Sequence, residues 1–263
     1  MSRAEAHIRS LSMSRYVMVI DATKCMNCKA CLVACQQRNH VPLGHARNWV
    51  RQTPDVSSPL GFAFQPGACM HCDKPLCVDA CPTHATYKAD DGSVVIDKSR
   101  CIGCGSCIIA CPYDARYKDT ATGTADKCDY CREYSAPGEV PACVRVCPTH
   151  CRTFGDADNP EDPVSLLLKE NKQVHVVAKN CDTKPSLTYL NHTIPTDWPR
   201  DAEIPATVKA MEHVATGTRW LGGLALFGVI GVFLKQLVLP SDREHGPESV
   251  HDDNSRNDQG GQA

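Results

Sequence analysis

Apolar residues come in short runs along the first 180 positions, and one long run stands apart near the end. Tyr16–Ile20 is rich in β-branched residues and reads as a strand. Asn48–Arg51 reads as another, and Gln173–Ala178 alternates as a third. Ala30, Leu32, Val33 and Ala34, and later Ile108, Ile109 and Ala110, predict short helices within Cys28–Gln37 and Cys104–Cys111. Pro82, Pro112 and Pro148 close three such helices, because proline cannot continue one. Asp162-Pro163 reads as an N-cap and first helical residue, opening a helix through Lys169. Gly155–Asp162 is acidic and turn-like, and Arg132–Ala142, with Pro137, Gly138 and Pro141, must be a surface loop. Asn180–Pro205 has little pattern and four prolines, which predicts an extended arm lying on a partner.

The long run is Trp220–Leu239, twenty residues with Lys235 as their one charge. At about 1.5 Å per residue it can cross the hydrocarbon core of a membrane. Trp220 suits an interface and Lys235 can snorkel outward. Gly222, Ala225, Gly228 and Gly231 form a small-residue ridge that would let another membrane helix approach. A single span at 219–239 is therefore expected, since a segment apolar all round fits badly as the core helix of a soluble domain. Arg200, Lys209 and Arg219 on one side balance Lys235 and Arg243 on the other, so flanking charge does not orient it. Residues 240–263 are polar and expected to be disordered. Residues 1–12 carry no pattern, and Met13 reads as a more natural start.

A formal net charge of -2 on 263 residues gives nucleic-acid binding no electrostatic support. Five Phe, seven Tyr and three Trp leave little to fill a core, whereas there are 18 cysteines. Sixteen of these fall into four quartets. Cys25, Cys28, Cys31, Cys35 and Cys101, Cys104, Cys107, Cys111 share the spacing C-x2-C-x2-C-x3-C. Cys69, Cys72, Cys77, Cys81 read C-x2-C-x4-C-x3-C-P, and Cys128, Cys131, Cys143, Cys147 read C-x2-C-x11-C-x3-C-P. Three thiolates on a tight loop with a fourth just beyond is how a chain wraps a cubane of iron and sulfide. Structural zinc draws two ligands from each of two knuckles, which the triple run overfills. A disulfide framework suits a short secreted chain, and c-type haem needs C-x-x-C-H, absent here. Four [4Fe-4S] clusters are the expectation, with much of the fold's cohesion coming from them.

The chain also repeats itself. Val19-Ile20-Asp21 before Cys25 matches Val95-Ile96-Asp97 before Cys101, and Cys81-Pro82-Thr83-His84 recurs as Cys147-Pro148-Thr149-His150. It reads as an assembly of ferredoxin-like units. Lys24 and Arg100, each just before a first cysteine, either raise a cluster's potential or are plain surface charge. His84 and His150 are expected to pack or hydrogen-bond, since the quartets are already full. Cys151 and Cys181 are expected to be buried free thiols.

The quartets, the phrase Arg100-Cys101-Ile102-Gly103-Cys104-Gly105, and Pro141-Ala142-Cys143 before Cys147-Pro148-Thr149 carry a resemblance. Over Met13–Asp158 the chain resembles the four-cluster iron–sulfur (beta) subunits of dimethyl-sulfoxide-reductase-type molybdenum or tungsten oxidoreductases. The arm plus one membrane helix is similar to the formate dehydrogenase-N beta subunit type, although the Gln36–Ala68 insert is shorter than that type implies. Every quartet being complete, the resemblance implies four [4Fe-4S] clusters. It also implies two partners: a molybdopterin catalytic subunit, and a cytochrome b-type or quinone-binding membrane subunit.

In two-cluster ferredoxins the first three cysteines of a run hold one cluster and the fourth reaches to the other. The resemblance implies that this exchange runs outer with outer and inner with inner. Cys25, Cys28 and Cys31 are then completed by Cys147, and Cys128, Cys131 and Cys143 by Cys35. Cys69, Cys72 and Cys77 take Cys111, and Cys101, Cys104 and Cys107 take Cys81. The expected fold is α+β, two nested double-ferredoxin-like domains. The outer one is 13–60 with 125–180, and the inner one is 61–124, followed by an irregular arm at 181–218 and the transmembrane helix. No residues form a catalytic constellation, so an electron-transfer subunit of an oxidoreductase complex is expected rather than an enzyme in its own right. The alternative is a membrane-tethered polyferredoxin donating to soluble acceptors. No secretory signal is visible, so the chain is cytoplasmic or exported with a signal-bearing partner. The expectation is an inner-membrane, single-pass protein with its clusters on the periplasmic side, the cytoplasmic side staying open.

Overall fold

The computed structural model describes residues 14–55, 58–59, 61–132, 139–191 and 200, together with 206, 210, 214, 217–218, 220, 222–228, 230 and 234. Met1–Met211 and Glu212–Ala263 are separate units. The first begins with β1, Tyr16–Ile20, whose last four side chains are buried, as a β-branched strand between two layers should be. Short helices and hairpins then follow the cysteine runs in order. These are α1 (Ala30–Asn39), β2 (Asn48–Pro54) paired with β3 (Phe62–Ala68), α2 (Leu76–Asp79), and β4 (Thr86–Lys88) paired with β5 (Val94–Ile96). Next come α3 (Ser106–Ile109), β6 (Arg116–Lys118) paired with β7 (Ala125–Lys127), α4 (Ala142–Arg145) and β8 (Arg152–Asp156). The segment closes with α5 (Pro163–Glu170), β9 (Gln173–Val174) and β10 (Thr188–Leu190).

The ends of the cysteine region meet. Antiparallel β1 and β8 pair along their whole length, Ile20 opposite Arg152 and Tyr16 opposite Asp156. Ile20 lies five residues before Cys25 and Arg152 five after Cys147. The same register recurs where Thr86 stands opposite Ile96, five after Cys81 and five before Cys101. Helices agree with strands: α1 packs on α4, and α2 on α3. The first quartet is thus coupled to the fourth, and the second to the third.

A four-stranded sheet in the order β8-β1-β10-β9, with β10 parallel to β1, backs the first coupling. Its core joins Met18, Ile20, Leu187 and Tyr189 to Met70, Tyr113 and Tyr130, with cysteine thiols among them. Two of the buried phenols have partners: Tyr189 donates to the Pro66 carbonyl at 2.9 Å and Tyr113 to that of Val176 at 2.9 Å. Asp162 caps α5 by accepting from the Val164 amide at 2.8 Å.

Several sequence expectations need adjusting. The strand at Asn48–Arg51 runs on to Pro54, held by β3, whose Phe, Pro and Gly residues carry no alternating signal. Of the expected strand Gln173–Ala178, Gln173 and Val174 form β9, and Ala178 makes one isolated bridge with Cys181. The arm expected from 181 starts later: Leu187 and Tyr189 are fully buried and Thr188–Leu190 is core strand β10. Three residues after Pro185 are too few to show a period, and pairing with β1 decides their fate. Residues 133–138 of the expected loop, the extension at 1–12, arm residues 192–199 and 201–205, and the tail at 240–263 lie outside the described residues. So does much of the span expected at 219–239. Among the described residues no helix is long and apolar enough to cross a membrane; 222–228 are helical, and Leu224, Leu226 and Phe227 there are exposed.

Candidate metal centres

Each cysteine loop is bent by left-handed backbone at one repeated place. The second residue after the first cysteine has positive φ in all four quartets: Asn27 (58°), His71 (42°), Gly103 (66°) and Tyr130 (62°). That turn aims successive thiols toward a common centre instead of alternating them. Gly103 is required for a second reason, since a Cβ there would lie 2.0 Å from the Gly123 carbonyl oxygen. After the last cysteine, a second left-handed position closes the turn at His84, Asp114 and His150. Their amides bond back to the Cys81, Cys111 and Cys147 carbonyls. Both histidines are exposed, so they serve as turn residues and not as packing groups.

Thiols from different quartets converge. One small cavity is lined by Cys25, Cys28, Cys31 and Cys147, with Cys151 and Arg152 in its wall. Elsewhere the Asn39 amide nitrogen lies 3.5 Å from both Cys35 Sγ and Cys131 Sγ. Burial, then the neighbouring Cys143 and Cys131 thiols, push the Cys35 thiol up to about 12. Cys111 is pushed up to about 11 by burial and by Cys77 and Cys69. Cys72 is raised too, by burial against the pull of Thr183, with Cys69, Cys77 and Cys111 as thiol neighbours. Cys107 faces Cys77. The Thr86 amide donates to Cys81 Sγ at 3.4 Å, and the Ala125 amide to Cys101 Sγ at 3.4 Å.

Among the described residues no three His, Cys, Asp or Glu groups close on a single point, as one coordinated ion would need. Thiols standing apart around a shared cavity, with amides directed at sulfur, fit the corners of an iron–sulfur cluster. Burial holds the Cys35, Cys72 and Cys111 thiols protonated, so cluster binding there must displace their protons to solvent.

The remaining candidates divide. Lys24 is half-exposed and pairs with Asp21 at 3.1 Å, and Arg100 reaches the Thr83 carbonyl at the surface, so both are solvated charges. Cys151 is buried with its Sγ 3.5 Å from Cys147 Sγ, whereas Cys181 is only partly buried.

Four buried groups give no signal as isolated residues. Arg47, with a side chain 3% exposed, grips Asp126 through Nε (3.0 Å) and Nη2 (2.9 Å), and reaches Asp129 and Asn39 at 3.1 Å. It thereby ties the Gln36–Ala68 insert to the fourth quartet. Replacing it by Met should destabilise the protein by about 3–5 kcal/mol, because Asp126 loses its bidentate partner in a buried site. Denaturant unfolding of iron-replete protein checks this; a change below about 1 kcal/mol would place the network at a solvated surface. His71 stacks on Tyr130 at 3.7 Å, both fully enclosed, and its Nδ1 accepts the Val94 amide at 3.0 Å. Arg116 and Arg152 are buried beside thiols. The signal that could have found those two is positional: each lies five residues past the last cysteine of its quartet.

Comparison with known proteins agrees with this geometry. Residues 24–86 and 60–157 each match a family described as a 4Fe-4S dicluster domain. The tetrathionate reductase B subunit of Salmonella typhimurium is 38% identical over 180 residues, 67% of this chain and 72% of that one. Protein NrfC of Escherichia coli is 40% identical over 189 residues, 70% of this chain and 84% of its own. The thiosulfate reductase electron transfer subunit PhsB of Salmonella typhi is 45% identical over 152 residues, 56% of this chain and 79% of its own.

Proposed function

The chain belongs to the 4Fe-4S dicluster family of ferredoxin-like proteins that includes these reductase subunits, and on that premise we propose that it is the electron-relay subunit of a membrane-associated respiratory oxidoreductase. Its partners in this reading are a molybdopterin catalytic subunit and a quinone-linked membrane subunit. When bound, the clusters supply one-electron redox chemistry. The chain's own part is to fix their order, burial and electrostatics.

The sixteen cysteines form four sets in this reading. Cys147 completes Cys25, Cys28 and Cys31; Cys35 completes Cys128, Cys131 and Cys143; Cys111 completes Cys69, Cys72 and Cys77. Cys81 is left for Cys101, Cys104 and Cys107. Supporting this are the cavity that Cys147 shares with the first triad, the Asn39 bridge from Cys35 to Cys131, and the closeness of Cys111 to Cys69 and Cys77.

The sets stand in a row: Cys25, Cys128, Cys69, Cys101, named by first cysteine. His71 of the Cys69 loop stacks on Tyr130 of the Cys128 loop, which brings those middle sets together. At the two ends a ligand cysteine is exposed, Cys28 at one and Cys104 at the other. Beside them Met26 and Ile102 are 59% and 67% exposed. A middle without an exposed cysteine, and an open, apolar-rimmed terminus at each end, is the observation that carries the reading, because it leaves one docking face for a donor and another for an acceptor. Residues 219–239 serve as a single membrane anchor, of the kind that the formate dehydrogenase-N type uses.

Purification from membranes under mild detergent tests the proposal. A large molybdenum- or tungsten-containing chain should accompany the protein in equimolar amount. Isolation of the protein alone, fully loaded with iron and able to reduce several soluble acceptors, would instead identify a tethered polyferredoxin.

A further inference from the structure

Within the Met1–Met211 unit, two buried arginines occupy matching places. Arg116 opens β6 and Arg152 opens β8, each five residues after the last cysteine of its quartet. They are 5% and 2% exposed. The first and second quartets carry His40 and Thr86 at the same offset, so each coupled pair of quartets holds one arginine and not two. Arg116 Nη2 donates to Cys77 Sγ at 2.9 Å, and Nη1 to Thr86 Oγ1 at 3.3 Å. Arg152 Nη2 donates to the Gly67 and Trp49 carbonyls at 3.2 and 3.4 Å. Its Nε and Nη1 find no hydrogen-bond partner of good geometry among the described atoms.

Burial opposes both charges, and neighbouring cysteine sulfurs favour them. For Arg116 the groups are Cys77, Cys107, Cys69 and Cys111; for Arg152 they are chiefly Cys143, Cys31 and Cys151. Arg47 is the contrast, a buried arginine answered by two carboxylates. The pattern within the thiolates is also shared. Arg116 bonds Cys77, the third cysteine of quartet two, with Cys107 of quartet three nearby; Arg152 lines the cavity of Cys31, the third cysteine of quartet one, with Cys143 of quartet four nearby.

We propose that Arg116 and Arg152 are matched potential-setting residues, each wedged between the two thiolate sets of one pair and raising the reduction potential of both. The inference rests on the assignment of the sixteen cysteines above, and does not depend on which partners the chain serves. Each one-electron reduction makes a thiolate set more negative. A fixed cation in a low-dielectric site stabilises that added charge more than the oxidised set. One guanidinium shared between two sets pulls both potentials in the same direction, which keeps them matched for transfer within the pair. Neither residue touches a reacting substrate, so both are positioning residues.

Redox titration of the intact protein, followed by EPR and accompanied by iron analysis, tests this with Arg116→Gln, Arg152→Gln and the two Lys variants. Each Gln variant should disfavour reduction at least tenfold, about 59 mV for a one-electron couple, at two of four signals. The two signals moved by Arg116→Gln and the two moved by Arg152→Gln should be disjoint. Lys should restore most of each shift. Iron-replete Gln variants with unmoved potentials would overturn the proposal, as would Lys variants shifted as far as Gln. If the Gln variants lose iron, unmodified protein grown with 15N-arginine decides. Coupling of guanidinium nitrogen to the reduced centres supports the wedge, and its absence from all four signals overturns it. An unmodified protein with iron for only two clusters would instead sink the cysteine assignment beneath it.

Discussion

Stripping the iron from this protein should abolish cooperative folding of the unit that holds the cysteines. The buried core there is assembled around thiols: Cys31, Cys69, Cys111, Cys128 and Cys143 belong to the same cluster of buried residues as Met18, Ile20 and Tyr189. Helices α2, α3 and α4 are four residues each, far too short to persist by themselves. Without iron, burial keeps Cys77 and Cys111 beside Arg116, and Cys31 and Cys143 beside Arg152, protonated, so both guanidinium charges lose anionic neighbours. An unpaired buried charge costs several kcal/mol. Chelation under reducing conditions should therefore remove the sigmoidal urea transition seen by far-UV circular dichroism. A sharp transition surviving in iron-free protein would mean that the apolar core suffices.

Serine at the fourth cysteine of an outer quartet should damage the distant cluster and spare the near one. Cys35 shares the Asn39 amide with Cys131, and Cys147 shares a cavity with Cys25, Cys28 and Cys31. Full loading corresponds to about sixteen iron atoms per chain, by four thiolates per cubane. Cys35→Ser and Cys147→Ser should each lower the content toward about twelve. The EPR spectrum of Cys35→Ser should match that of Cys131→Ser, and the spectrum of Cys147→Ser that of Cys28→Ser. The reverse matching would return each fourth cysteine to its own quartet.

Much of this was legible in the residues. Sixteen cysteines at repeated spacing specify their own loops, and Tyr16–Ile20 and Asp162-Pro163 form the strand and the capped helix that their local chemistry favours. What escaped depends on contacts far apart in sequence. β10 pairs with β1 across more than 160 residues, and Arg47 meets Asp126 across 79. Neither has a local period or motif. His71 and Tyr130 look like ordinary loop residues until the second and fourth quartets are brought together. For Lys24 and Arg100 the sequence left two readings open. Both are surface charges, and the repeated arginine five residues beyond the last cysteine is the one held inside.

The proposed relay is a row of four clusters whose ligands are exchanged between coupled quartets. Iron-edge anomalous diffraction from crystals of the intact protein tests it most directly. Four compact iron centres are expected in the order Cys25, Cys128, Cys69, Cys101, with Cys147 bound at the first and Cys35 at the second. Two centres, or Cys35 bound to the same iron as Cys25, would contradict it.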